Sequence, residues 1–312
     1  MAFVEIRPFE AADAPATAEL VRPMQPGILV TAAHLVHRER SEPKRAQRRS
    51  WLALENGEVL GFATSALKWD EPGAGGRFWL GVRPDRRKAG IGAELCDLAE
   101  QHARAIGVQR LTVEVDDDPE GRPFVEARGF NPISAEIVSS LDPRLTDLGE
   151  LDGLLAETSA AGFELTTLQA LAGRREELAA FYEAAGAWPP GGGEANRITA
   201  EELWRYIFER PDLSWEGSFV VLDERGRLVS LASLVVDPER GRAENDWTAT
   251  LPEQRGRRLA LLAKLASIRW AKKAGIREIV TANDEDNVPM LTLNRRLGYR
   301  RLYAQVELAR AL

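Results

Sequence analysis

The sequence predicts an α/β fold, of the α+β kind, built twice in tandem. Three observations carry that prediction. A strand-like run, a basic glycine-bearing turn and a helical pattern occur in Val82-Arg83-Pro84-Asp85-Arg86-Arg87-Lys88-Ala89-Gly90-Ile91-Gly92. They occur again in Leu251-Pro252-Glu253-Gln254-Arg255-Gly256-Arg257-Arg258-Leu259-Ala260. Pro84 and Pro252, Arg87 and Arg255, and Gly107 and Gly275 are each 168 positions apart; Gly57 with Gly226 and Gly129 with Gly298 are 169 apart. A period this long and this steady marks duplication of a domain, not a solenoid. Finally, 312 residues suffice for two domains with cores of their own.

Taken in order, each copy opens with a short strand (4–6; 163–166) and a helix (11–21; 174–185). A second helix follows (31–40; 199–209). A hairpin comes next: 51–55 turns at Asn56-Gly57 into 59–64, and 218–222 turns near Arg225-Gly226 into 228–235. The strand before the basic turn spans 244–251 in the second copy. The helix after the turn shows Ile91, Leu95, Leu98 and His102 at helical spacing, and Leu261, Leu265, Ile268 and Lys272 repeat the pattern less cleanly. Gly107 and Gly275 read as helix stops. Beyond them lie strands 110–115 and 278–282, then a short helix and a final strand (135–141; 302–308). Pro143 breaks the first copy's last strand, and Leu148, Leu151, Leu154 and Leu155 suggest a connecting helix. The domains are therefore expected at 1–145 and 163–312, joined by 146–162. The tract Trp188-Pro189-Pro190-Gly191-Gly192-Gly193 reads as a loop between two helices.

A hydrophobic content of 44% with 29% charged residues describes a soluble globular chain. The net charge of −7 argues against nucleic acid and suits a cationic small substrate. No run has the length of a membrane span, and the N-terminus has no signal-peptide core, so a cytoplasmic protein is expected. Cys96 is the single cysteine, which excludes an internal disulfide; its place in a helical apolar pattern indicates packing, with no base paired to it. His34, His37 and His102 lack zinc spacing, and no metal is expected.

The basic turns carry the chemistry. A turn of free N–H groups at a helix start, ringed by cations, suits a pyrophosphate, and glycine lets the backbone approach without a Cβ in the way. Alone, such a turn also serves mere geometry. The order of elements, the six-residue loop Arg87-Lys88-Ala89-Gly90-Ile91-Gly92 and the ending Leu297-Gly298-Tyr299 together resemble the GNAT superfamily of acyl-CoA-dependent N-acyltransferases. That family's loop reads Arg/Gln-x-x-Gly-x-Gly/Ala. The first copy matches it fully, and the second, Arg255-Gly256-Arg257-Arg258-Leu259-Ala260, carries Arg258 in place of a glycine. Arg128-Gly129-Phe130 is a shorter echo of the ending.

The resemblance implies two GNAT-like domains, each a mixed, mostly antiparallel central sheet flanked by helices. It implies acetyl-CoA as co-substrate, held in one or both copies by the loop and by the backbone of Gly81 and Val82 or of Ala249 and Thr250, where the sheet splays. Such an enzyme takes a proton from the incoming ammonium and returns one to the thiolate. Glu244 and Asp246 lie at the start of the second pre-loop strand, where the family keeps its general base; counting by 168 sets Gly76 and Phe78 opposite them. Glu244 also reads as an ordinary strand-end charge. Asn283, Asn287 and Asn294 offer amides to the pantetheine arm or to a loop. Asn294 and Val125 stand where many relatives carry an acidic tyrosine, so water, Tyr299 or Tyr303 is left for that role. The acidic run Asp116-Asp117-Asp118-Pro119-Glu120 reads as a solvated turn or an attractor of a cationic acceptor.

The resulting expectation is transfer of acetyl from acetyl-CoA to a primary amine of a small molecule by direct attack. The second copy is then catalytic, and the chain is a monomer or homodimer. The alternative is a noncatalytic acyl-CoA-binding sensor or scaffold.

Overall fold

The two copies share one sheet. In the computed structural model, which describes residues 4–69, 75–116, 120–186 and 198–312, twelve strands hydrogen-bond edge to edge among the described residues. The first copy runs β1 (Glu5–Pro8), α1 (Ala14–Val21), α2 (Ala32–Ser41), β2 (Arg49–Glu55), β3 (Glu58–Leu67), β4 (Gly75–Val82), α3 (Ile91–Ala105), β5 (Arg110–Asp116), α4 (Gly121–Glu126) and β6 (Asn131–Leu141). The connecting helix α5 spans Leu151–Ala160. The second copy runs β7 (Glu164–Thr167), α6 (Arg175–Ala184), α7 (Ala200–Leu203) with a π-helical turn over Trp204–Phe208, β8 (Phe219–Leu222), β9 (Leu228–Asp237), β10 (Arg242–Thr250), α8 (Leu259–Lys273), β11 (Glu278–Asp284), α9 (Val288–Leu297) and β12 (Arg300–Ala311). The two basic-turn helices have equal length. Thr31 caps α2 by accepting the His34 N–H at 3.0 Å, and Thr199 with Glu202 forms a reciprocal capping box on α7.

Strand order is β1-β2-β3-β4-β5-β12-β6-β11-β10-β9-β8-β7. The last strands of the two copies are exchanged. β12 lies against β5, from Gln305 opposite Asp116 to Ala311 opposite Arg110. β6 lies against β11, from Ile279 opposite Leu141 to Asp284 opposite Glu136. The exchanged strands pair with each other at the centre. Main-chain pairing is blind to side-chain identity, so periodicity marks both strands and leaves their neighbours open.

Helices cover both faces. In the first copy Phe78, Cys96, Ala99, Leu111 and Phe130 build the core behind the sheet, and Ala18, Val21, Leu52 and Phe62 the core in front. The second copy has a larger continuous core that includes Val221, Leu231, Leu262 and Leu265. No helix among the described residues is long and apolar enough to cross a membrane. The tract Trp188 to Gly193, with Asp117, Asp118 and Pro119, lies outside the described residues.

Two forks in the sheet position the site. β10 pairs in parallel with β11 only over Arg242–Glu244, and β4 with β5 only from Gly75 to Phe78. Beyond those points the strands part beside the N-terminus of the following helix. The forks are not identical. β4 keeps one register on β3 throughout, whereas β10 shifts by one residue on β9 between Glu244 and Trp247. That shift is a β-bulge.

Candidate active site

Both basic turns adopt the same backbone. A 3-10 turn (Pro84–Arg86; Pro252–Gln254) leads into each. Positive φ falls at Lys88 (62°) and Gly90 (89°) in the first, and at Gly256 (80°) and Arg258 (64°) in the second. After the Arg87 N–H and Arg255 N–H close onto Pro84 and Pro252, the next backbone bonds come from Glu94 to Gly90 and from Leu262 to Arg258. Among the described residues the N–H groups of Lys88, Ala89, Gly90, Ile91 and Gly92, and of Gly256, Arg257, Arg258, Leu259 and Ala260, have no backbone acceptor, as at a helix start. This is the fit a pyrophosphate requires, and it survives the missing glycine because Arg258 takes the left-handed conformation itself.

The cations differ. Arg87 and Lys88 both reach Glu120, at 2.6 and 3.4 Å. Arg258 reaches Glu157 at 3.0 Å and Glu150 at 3.4 Å, Arg257 stacks over Phe163, and Arg255 has no carboxylate partner among the described residues, its Nε donating to the Thr250 carbonyl at 3.3 Å. Arg258→Gly should leave stability within about 1 kcal/mol, since relief of the left-handed backbone offsets two exposed ion pairs. Acetyl-CoA affinity should be no weaker. Thermal unfolding and calorimetry check this; loss of binding would show that the Arg258 side chain, not the turn, holds the anion.

The bulge corrects the alignment of the copies. Arg110 and Glu278 are 168 apart, but their respective partners Gly75 and Arg242 only 167. Glu244 therefore stands at the place of Arg77 rather than Gly76, and Asn245 at that of Phe78. Past the bulge Trp247 matches Trp79. Asp246 is the added residue.

Glu244 points to the face covered by the first copy. Its Oε2 accepts the Leu29 N–H at 2.6 Å, while Arg242 donates to the Pro26 carbonyl at 2.6 Å. Between those residues sits Gly27, where a Cβ would lie 2.5 Å from Tyr303 Oη and 2.6 Å from Val138. Only glycine lets the segment pass so close to the exchanged strands. Burial, and then the charge of Asp246, raise the Glu244 carboxyl above the ordinary range, against the pull of the Leu29 N–H and Arg210. Arg210 binds Asp246 at 2.9 Å and Asp212 at 3.1 Å.

In the first copy the charges are reversed. Glu42, aligned with Arg210, accepts from Arg77 at 2.7 Å and from Arg48 at 3.2 Å. Burial works to raise the Glu42 carboxyl, but Arg48, Arg38 and Arg77 bring it down to about 2. A fixed carboxylate on an arginine there has no base to offer. Gly81 is also hemmed in, with Met24 and Trp79 each 2.6 Å from where a Cβ would sit. Val82, Ala249 and Thr250 lie at the strand ends beside the forks.

The amides of the second copy lie across its fork. Asn294, on α9 and 2% exposed, donates to Asn283 Oδ1 at 2.6 Å, and its own Oδ1 is buried without a partner among the described residues. Asn287 caps α9, accepting the Met290 N–H at 3.2 Å. Tyr299 is buried against Lys264. Burial and Glu100 push the Cys96 thiol up to about 12, the state of an inert packing residue. His37 meets the Tyr206 carbonyl at 3.2 Å and His34 lies 3.7 Å from Asp212, so both tie the copies together. Periodicity did not single out Leu29, Arg210 or Lys264: a backbone donor and two basic residues carry no motif. A cleft of about 700 Å3 is lined by Glu19, Arg22, Thr31, Asp212 and Arg240 and includes no residue of either basic turn.

The acetyltransferase (GNAT) family profile matches residues 16–130 and 178–299, one match in each copy. The chain belongs to the GNAT family. Among solved structures it is similar to a tandem GNAT protein from the clavulanic acid biosynthesis pathway, at 23% identity and a TM-score of 0.77, over 99% of this chain and 98% of that one. It is also similar to a GCN5-related N-acetyltransferase from Sphaerobacter thermophilus, at 18% identity and a TM-score of 0.67, over 99% and 95% of the two chains. These likenesses show the GNAT fold along the whole chain. No curated protein matches it.

Proposed function

We propose that this tandem GNAT acetyltransferase transfers acetyl from acetyl-CoA to a primary amine of a small molecule, and that the second copy does the chemistry. Carrying the reading is the Glu244 carboxylate at the mouth of the bulged fork, with a raised affinity for a proton and no counterpart in the first copy. A carboxylate so tuned accepts a proton from an ammonium near neutral pH. Acetyl-CoA supplies the acyl group. The N–H groups of 256–260 with Arg255 and Arg257 would hold its pyrophosphate, and the backbone of Ala249 and Thr250 its pantetheine arm. Asn283 and the unpartnered Asn294 Oδ1 offer further polar contacts.

A cationic acceptor is supported by the face on which Glu244 lies. Strand register puts Asp284, Glu136, Glu307 and Glu114 on that same face of the central strands. Burial, then Glu114, Asp284 and Glu307, raise Glu136 to about 7. A negative floor concentrates cations before they react. The first copy keeps its cradle but sets Arg77 where the base belongs, which favours binding or support over turnover.

The test is CoA-thiol release over a panel of primary amines, alongside calorimetric titration with acetyl-CoA. Release with one or more amines and none with alcohols is expected. Binding without release for any amine would make the chain a sensor, and no binding would overturn both readings.

A further inference from the structure

We propose that Lys264 is a positioning residue that holds the bulge of β10, and with it the Glu244 carboxylate, in place; this rests on Glu244 acting as the base. Lys264 is the sixth residue of α8 and 2% exposed. Its Nζ donates to Asn245 Oδ1 and stands 5.1 Å from the centre of the Tyr299 ring. It has no carboxylate partner among the described residues. A buried ammonium of that kind works against folding, and burial lowers its pKa to about 7. Something must account for its presence.

The account lies in what it holds. Asn245, 6% exposed, begins the bulge and uses both ends of its amide. Its Nδ2 donates to the Ser233 carbonyl at 2.8 Å, and its Oδ1 accepts from Thr248 Oγ1 at 3.0 Å as well as from Lys264. Its main-chain carbonyl accepts from Thr281 Oγ1 at 3.1 Å, a bond that reaches across the opening fork. Ser233 Oγ in turn takes the Trp247 N–H at 3.0 Å. One polar network thus ties β9, β10, β11 and α8 to the residue beside Glu244. A bulge breaks the ladder and leaves main-chain and side-chain groups to be satisfied elsewhere, and this network satisfies them.

The first copy supplies an internal control. Phe78 takes the place of Asn245, Cys96 that of Lys264, Leu80 that of Thr248 and Val113 that of Thr281. These four are apolar, although Thr64 keeps a hydroxyl at the place of Ser233, and there the strand runs without a bulge. The helix, sheet order and basic turn are otherwise the same. Where the network is missing, the added residue is missing, and so is the carboxylate at the fork.

Lys264→Met should reduce kcat on the order of tenfold or more, leaving the KM for acetyl-CoA within about twofold, because small misplacements of a base are costly to rate. The double variant Asn245→Leu with Lys264→Met restores an apolar pair like that of the first copy. It should melt no lower than the wild type without regaining kcat, and its acid limb in the pH profile should be displaced from that of the wild type. Thr281→Val removes one bond of the network without stranding a charge; it should reduce kcat severalfold at a nearly unchanged melting temperature, and serves if Lys264→Met does not fold. A double variant with wild-type kcat, or Thr281→Val with full kcat, would make Lys264 a packing residue and overturn the proposal. Glu244→Gln separates the levels: if it leaves turnover intact, the reading of Glu244 fails; if it impairs turnover while the Lys264 and Thr281 variants do not, only the positioning role fails.

Discussion

Glu244→Gln is expected to lower kcat on the order of a hundredfold or more while leaving acetyl-CoA affinity within about twofold. The amide keeps the size of the side chain and can still accept the Leu29 N–H, so geometry is retained and basicity is lost. The wild-type rate should fall as pH drops through the raised pKa of Glu244, above the range of an ordinary carboxylate. The sign follows from the base being active only when deprotonated. Leu29→Pro removes the N–H that favours the charged form, whereas Leu29→Ala loses the same buried packing and keeps the donor. The acid limb of Leu29→Pro should therefore lie above that of Leu29→Ala. Coincident limbs would show that the first copy does not tune the base, and an active Glu244→Gln would remove Glu244 from the mechanism.

The second large effect concerns the unit of folding. The fragment 163–312 contains the second basic turn, Glu244 and both asparagines, yet it lacks β6, which borders β11, and the segment from Pro26 to Leu29, which closes over Glu244. Its β12 would lose both partners, β5 and β6. Three newly unpaired strand edges, one on β11 and two on β12, invite aggregation, and the base would stand open to water. Turnover of this fragment should fall at least about a hundredfold, as loss of a positioned base predicts. Co-expression of 1–145 with 146–312 should restore much of it, because the exchanged strands can re-form their pairs. A fragment 163–312 with full-chain kcat would show that the exchange is dispensable to the chemistry.

Much of the fold was legible. The 168-residue period, the Asn56-Gly57 hairpin and the helical spacing after each basic turn are local signals, and the elements they indicate lie within a few residues of those observed. The basic turns were legible for the same reason: cations, glycines and a helix start are contiguous in the chain. At position 258, where the family's loop has a glycine, an arginine occupies the left-handed conformation at 64° and the turn keeps its shape.

The site itself was only half legible. A carboxylate near the start of β10 could be named from its position relative to the turn, but its counterpart could not, because the bulge displaces the alignment by one residue exactly where it mattered. Counting by 168 put Gly76 opposite Glu244, and strand register puts Arg77 there. The ion pairs of Glu42 with Arg77 and of Arg210 with Asp246 each join residues more than thirty positions apart, a distance no helical or strand period bridges.

By itself, then, the sequence determined the duplication, the order of elements, the two anion-binding turns and the family they resemble, since each of these is written in residues close along the chain. Only the tertiary structure decided that the last strands change places, that β10 carries one residue more than β4, and that a backbone N–H of the first copy meets the carboxylate of the second. Those are matters of which edge pairs with which and of what a bulge turns toward what. Main-chain hydrogen bonding settles them across long separations, and it leaves almost no mark on the identity of the residues involved.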